Sequence, residues 1–144
     1  MVHLYSHGGS ENHGCEAIVR TTVKMIGQPA VLWSMKPEQD LVYGVDQICQ
    51  IREDWCKPIK YRSFSWFLSS LQTKLTGKLH WMLYFQKREM LQQIRKSDVL
   101  LSIGGDNYCY SGTDILASVH HNLRRRCAKT VLWGCSVEPE QKEE

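Results

Sequence analysis

Val99-Leu100-Leu101-Ser102-Ile103-Gly104-Gly105-Asp106 is the stretch that decides the fold. Five residues make a near-continuous apolar run, and two glycines and an acid stop it. A half-exposed strand alternates apolar and polar residues, whereas a run without alternation suits a parallel strand covered by helices on both faces. Downstream, Ile115, Leu116, Val119 and Leu123 recur at helical spacing. Arg124, Arg125 and Arg126 follow, where cations complement the helix dipole. Thr130-Val131-Leu132-Trp133 is the next strand, ending at Gly134-Cys135-Ser136.

Upstream the same alternation recurs. Val2 to Ser6 reads as a strand and runs into the polar turn Gly8-Gly9-Ser10-Glu11-Asn12-His13-Gly14. Glu16 to Ile26 reads as a helix, with Val19, Val23 and Ile26 on one face and Gly27 as its stop. Ala30 to Trp33 is a buried strand closed by Pro37; a short helix opens over Pro37 to Leu41, and Gln47 to Ile51 is a third strand. Phe64, Phe67, Leu68, Leu71 and Leu75 predict an amphipathic helix ended near Gly77, and Leu79 to Arg95 predicts a second. Together they are expected to form a helical insertion that carries the basic charge. Strands alternating with helices give an α/β fold, a Rossmann-like open parallel sheet flanked by helices. Ligands of such sheets bind beyond the carboxyl ends of the strands, at the switch point of strand order. Three loops are expected there: 8–14, 104–110 and 134–139.

Length and composition bound the function classes. The 144 residues, 42% hydrophobic and 23% charged, describe one globular domain and exclude a disordered or fibrous chain. No apolar run approaches the ~18–20 residues of a membrane span. The N-terminus has no basic region, apolar core or cleavage site of a secretory signal, so a cytoplasmic location is expected. The six cysteines, Cys15, Cys49, Cys56, Cys109, Cys127 and Cys135, contain no C-x-x-C and are expected as thiols rather than as disulfides or zinc ligands.

The net charge is +3, but from Lys57 to Lys96 nine basic residues face one acid, Glu89. That segment carries +8 and leaves −5 for the rest. A solvated basic face is the default reading; attraction to a membrane surface, a phosphorylated substrate or nucleic acid is the sharper one. Trp66, Phe67, Trp81 and Phe85 fit either a membrane-interface stripe or, by default, a helix core.

The loops limit the chemistry. Gly9-x-x-x-x-Gly14 has phosphate-loop spacing, but Cys15 and Glu16 stand where that motif needs Lys and Ser or Thr. This excludes an ordinary nucleotide triphosphatase, and G-x-G-x-x-G is absent. What remains is either a helix N-terminus offering N–H groups to an anion or sugar oxygen, or a tight turn that needs glycine. Asp106, after two glycines at a strand end, is placed either to accept a hydroxyl proton or to cap its own turn. His7, His13 and Cys15 read as polar loop residues rather than a metal cluster, and His120-His121 as helix surface.

Gly-Gly-Ser-Glu-Asn-His-Gly-Cys-Glu-Ala-Ile-Val-Arg (8–20), Leu-Ser-Ile-Gly-Gly-Asp-Asn-Tyr-Cys-Tyr (101–110) and Val-Leu-Trp-Gly-Cys-Ser-Val-Glu-Pro (131–139) together resemble the polysaccharide pyruvyl transferase family. The resemblance covers about half the chain, roughly residues 1–26 and 97–140; the central basic segment does not contribute. Where the family's first loop often reads Asn-x-Gly-Asp, this chain has Asn12-His13-Gly14-Cys15-Glu16, with the acid displaced by one position.

The resemblance implies the N-terminal half of a two-domain fold of the glycosyltransferase-B type. Residues 1–140 would form that half, with a basic helical segment at about 57–97, a tail at 141–144 and the C-terminal domain lacking. It implies transfer of a pyruvyl group from phosphoenolpyruvate to hydroxyls of a cell-surface polysaccharide or its precursor. Asp106 would be catalytic. Gly8, Gly9, Ser10, Asn12, His13, Gly14, Glu16, Gly104, Gly105 and Asn107 would bind substrate, with no metal or cofactor. The expected partners are phosphoenolpyruvate, a saccharide acceptor and an anionic membrane surface at the 57–96 segment, and not nucleic acid. The location would be cytoplasmic, peripheral to the inner face of the membrane. The chain is expected to be a fragment, inactive alone, because its loops offer no cation except histidine. A nucleotide-sugar glycosyltransferase-type domain, or a non-catalytic remnant or binding module, is the alternative.

Overall fold

The computed structural model describes residues 1–109 and 112–137. Tyr110, the acidic stretch from Glu138 to Glu144 and the end of the 131–139 motif lie outside the described residues. Five strands, β1 (Val2–His7), β2 (Ala30–Ser34), β3 (Gln50–Glu53), β4 (Val99–Ile103) and β5 (Lys129–Trp133), form one sheet in the order β3-β2-β1-β4-β5. Every pairing is parallel. The order grows outward from β1 in both directions, so the switch point lies between β1 and β4. The fold is thus α/β and Rossmann-like.

The pleat sends alternate residues of each strand to opposite faces. Leu4, Leu32, Leu101 and Ile103 pack on one face beneath α1 (His13–Ile26), which lays Ile18, Val19, Val23 and Ile26 on them. The same core holds Val45, from a single 3-10 turn (Val45–Gln47) that follows α2 (Pro37–Val42). Tyr5, Val31, Trp33 and Leu100 point to the other face. They meet Met90, Leu91 and Ile94 of α5 (Arg88–Gln93) and its end, and Leu123 of α6 (Thr113–Arg124). The three interior strands, β2, β1 and β4, therefore carry apolar residues on both faces. No helix among the described residues is long and apolar enough to cross a membrane.

Two expectations are corrected. The helix expected over Leu79 to Arg95 is two, α4 (His80–Gln86) and α5, divided at Lys87. No glycine or proline breaks it. Lys87 is buried, and its ammonium donates to the Asp54 carboxylate at 2.7 Å and the Asp54 carbonyl at 3.3 Å. A buried ammonium is costly without its partner, and this pair sits at the residue that divides the two helices. The second correction concerns α3 (Phe64–Thr76). Its apolar stripe is not core: Phe64, Phe67, Leu71 and Leu75 are all exposed, and the buried residue of the helix is Ser69. α3 packs on α4 as an outer layer rather than on the sheet.

Candidate functional site

The loops after β1, β4 and β5 meet at the carboxyl end of the sheet, tied by hydrogen bonds. The Asn107 amide donates to Ser6 O at 2.7 Å, and Ser136 N donates to Gly105 O at 2.7 Å. The Cys135 thiol donates to Ser102 O at 3.1 Å, and Ser102 Oγ shares a hydrogen bond with the Tyr108 hydroxyl at 2.8 Å. A Cβ on Gly104 would stand 2.8 Å from Ser6 O, and its φ of 135° already excludes most side chains. Gly104-Gly105 thus lets the β4 turn lie directly on the end of β1.

Ser6 is itself unusual: a buried, non-glycine residue at φ 65°. The β1–β2 register shifts between Leu4 and His7 around it. Such a conformation costs of order 1–3 kcal/mol and persists only where its surroundings hold it. Here Asn107 and Ser102 hold it. Beyond the irregularity, His7 Nε2 hydrogen-bonds Asp40 Oδ1 at 2.8 Å, and the Ser10 hydroxyl donates to the same oxygen. All three side chains are buried, with His7 Nδ1 and Asp40 Oδ2 lacking a partner among the described residues. Because serine and histidine both address one carboxylate oxygen, this is not a nucleophile relay. It clamps the glycine loop to α2.

The loop and the first turns of α1 and α2 enclose a cleft of about 440 Å³, lined by Gly8, Gly9, Glu11, Cys15, Lys36 and Asn107, among others. The volume lies in the range of small-ligand sites. Lys36, after β2, puts an ammonium-bearing side chain where the sequence was read as offering only histidines, which corrects that expectation. Gly9 makes this approach feasible: its φ is 112°, and a Cβ there would meet Gln39 Oε1 at 2.3 Å and the Lys36 Cβ at 3.0 Å. Burial raises the Cys15 thiol pKa, and the nearby Asp106 charge raises it further; both disfavour the thiolate. Asp106 is exposed beside this wall.

The candidate residues divide by what they already bond. The Asn12 side chain caps α1, accepting from Gly14 N at 3.0 Å and Cys15 N at 3.4 Å. Those two N–H groups of the helix N-terminus are therefore engaged. Glu16 pairs with Arg20 at 2.7 Å and with His13 at 3.4 Å, and the Arg20 bond is the main reason its pKa lies below the ordinary value. Ser10 is enclosed and Asn107 bonds the β1 end. Gly8 and Gly9 border the cleft; Gly104 and Gly105 build the turn. His7, His13 and Cys15 do not converge, and no group of three or more His, Cys, Asp or Glu among the described residues is placed to hold a metal.

Sequence reasoning missed Lys36, Gln39 and Asp40. Pro37 marks a helix opening directly after β2, so the β2–α2 turn is a fourth carboxyl-end loop. His120, expected at the surface, instead bridges Tyr5 and Thr130 at 3.0 and 3.1 Å. A larger cavity of about 760 Å³ lies between α3, α4 and α6, with none of the carboxyl-end loops in its wall. There His80 and His121 stack at 4.0 Å. Compared with models of protein families, with curated proteins and with solved structures, the chain matches none.

Proposed function

We propose that the cleft between the loops after β1 and β2, bordered by Asn107 of the loop after β4, is half of a pyruvyl transferase active site. The observation that supports this most is its composition: two of the three loops that carry the family resemblance bound one polar cleft, with Lys36 in its wall and Asp106 beside it. In this reading the domain is the N-terminal half of a glycosyltransferase-B-type pair working on the cytoplasmic side of a membrane. Asp106 takes or orients the proton of an acceptor sugar hydroxyl. The hydroxyl oxygen attacks C2 of phosphoenolpyruvate as a general acid from the facing half protonates the methylene carbon. Phosphate leaves, and a second hydroxyl closes the ketal. Lys36 offers charge to the phosphate or carboxylate of the donor.

Titration of the purified chain with phosphoenolpyruvate, followed by amide NMR shifts, tests the reading. Shifts are expected at Gly8, Gly9, Cys15, Lys36 and Asn107, with affinity falling about tenfold in Lys36→Gln, as for loss of one charge-assisted hydrogen bond. Shifts with a nucleotide-sugar but none with phosphoenolpyruvate would replace it by a glycosyltransferase-type domain. Silence at the cleft with both ligands would leave only a binding module.

A further inference from the structure

α3 carries its apolar residues on the wrong side for a core helix. Phe64, Phe67, Leu71 and Leu75 fall within an arc of roughly 80° at 3.6 residues per turn. They are 76%, 57%, 42% and 74% exposed. The helix is nevertheless well built: the Ser63 hydroxyl accepts from Trp66 N at 3.2 Å, and Gly77 closes it in the left-handed conformation. Its inner side, with buried Ser69, rests against α4. The exposed stripe is therefore a formed surface rather than a frayed end. Tyr61 and Trp81 are exposed as well.

The charge around the stripe has one sign. No Asp or Glu occurs from Lys57 to Arg88. Lys60 and Arg62 precede the helix, Lys74 lies on it and Lys78 follows it; all four are exposed. The basic residues of the segment that find acids lie elsewhere: Lys57 pairs with Glu89, and Lys87 with Asp54. The cavity that shares Leu68, Gln72 and Trp81 with this region adds Lys96, Arg125 and Arg126 and no carboxylate.

From these observations we infer that α3 docks on an anionic membrane surface. Phe64, Phe67, Leu71 and Leu75 enter the headgroup–acyl boundary, and Lys60, Arg62, Lys74 and Lys78 lie at the level of the anionic headgroups. Apolar and aromatic residues on one face with cations around them are what an interfacial helix needs. A second copy of the chain fits poorly. A two-fold interface apposes the same patch to itself, and would set four cations against four with no acid to separate them. A protein partner would need an acidic rim around an apolar centre, whereas an anionic bilayer supplies both along the whole helix.

The test is co-sedimentation of the full chain with phosphatidylcholine vesicles, with and without phosphatidylglycerol, at rising salt. Binding is expected to the anionic vesicles only, weakening with salt. Lys74→Gln and Lys78→Gln should each lower it roughly fivefold. The Phe64→Ser/Leu75→Ser double variant should lower it by about tenfold or more with the fold retained by circular dichroism. Val42→Ser, an exposed apolar residue outside the stripe, should leave it unchanged. Equal binding to neutral vesicles, or none to anionic ones, overturns the inference. So does a dimer in sedimentation equilibrium that Phe64→Ser/Leu75→Ser dissociates, or unfolding of that variant, since the stripe would then be an interface or a core.

Discussion

α1 and α3 are built from the same local grammar. Each starts at a side-chain cap, Asn12 or Ser63, and each stops at a left-handed glycine, Gly27 or Gly77. Each carries an apolar stripe at helical spacing. Yet α1 lays its stripe on the sheet, with Val19 fully buried, while α3 turns Phe64 and Leu75 to solvent. The helices differ in what surrounds the stripe. α1 carries Glu16, Arg20 and Lys24, a mixed-sign surface suited to water, whereas the only charge on α3 is Lys74. Periodicity reports that a face is apolar; it does not report what will cover it.

The largest test of that contrast is stability. Val19→Asp places an unpaired charge in the core beneath α1 and should cost more than about 4 kcal/mol. Phe64→Ser and Leu75→Ser on α3 should each change stability by no more than about 0.5 kcal/mol. Urea unfolding followed by circular dichroism reads both. A loss of several kcal/mol at Phe64 would abolish the contrast and place α3 within the core.

Acid should act first on the α4–α6 side of the sheet. His3, His80, His120 and His121 all have pKa values lowered from the ordinary 6.5, chiefly by burial. Trp33 Nε1 donates to His3 Nδ1 at 3.1 Å, so a second proton on His3 has no room. These groups bind protons more readily in the unfolded chain, so stability should fall as pH drops below about 6.5 and level off below their folded pKa values. Asp98 adds a second, lower step. Burial pushes its pKa up, but the Arg95 amide and the Met1 ammonium outweigh that and bring it below 3.8. Its contribution is present above about pH 4 and is lost below. Urea midpoints between pH 8 and pH 3 should show both steps. His120→Gln, which keeps a donor and an acceptor toward Tyr5 and Thr130, should flatten the first step; an unchanged slope would remove His120 from this account.

The smallest expected effect is the most even. Asn12→Ala and Ser63→Ala should each cost about 1 kcal/mol, because each frees N–H groups of the first helical turn and neither depends on the stripe. Thermal midpoints compare them. A clear loss at Asn12 with none at Ser63 would mean that α3 frays in solution, and would remove the formed surface on which docking depends.

Where one element's own residues decide its conformation, the sequence was a sufficient guide. The run Val99 to Ile103, the stop at Gly27 and the short helix opening at Pro37 follow from backbone sterics and the pleat. These act over a few residues, so the α/β order and the ends of β4 could be read directly, whereas the third strand, expected at Gln47 to Ile51, lies at Gln50–Glu53 after a 3-10 turn. The site was legible only as far as its loops. Which candidates face the cleft and which are engaged in holding it depended on contacts between distant residues: Asn107 with Ser6, His7 and Ser10 with Asp40, Lys36 beside Gly9. The pairing of Lys87 with Asp54, at the break between α4 and α5, is likewise a contact between distant residues. Tertiary structure alone decided the fate of the two apolar stripes, because an apolar face is a local property of a helix, while its cover is supplied by whatever the rest of the fold has left unburied.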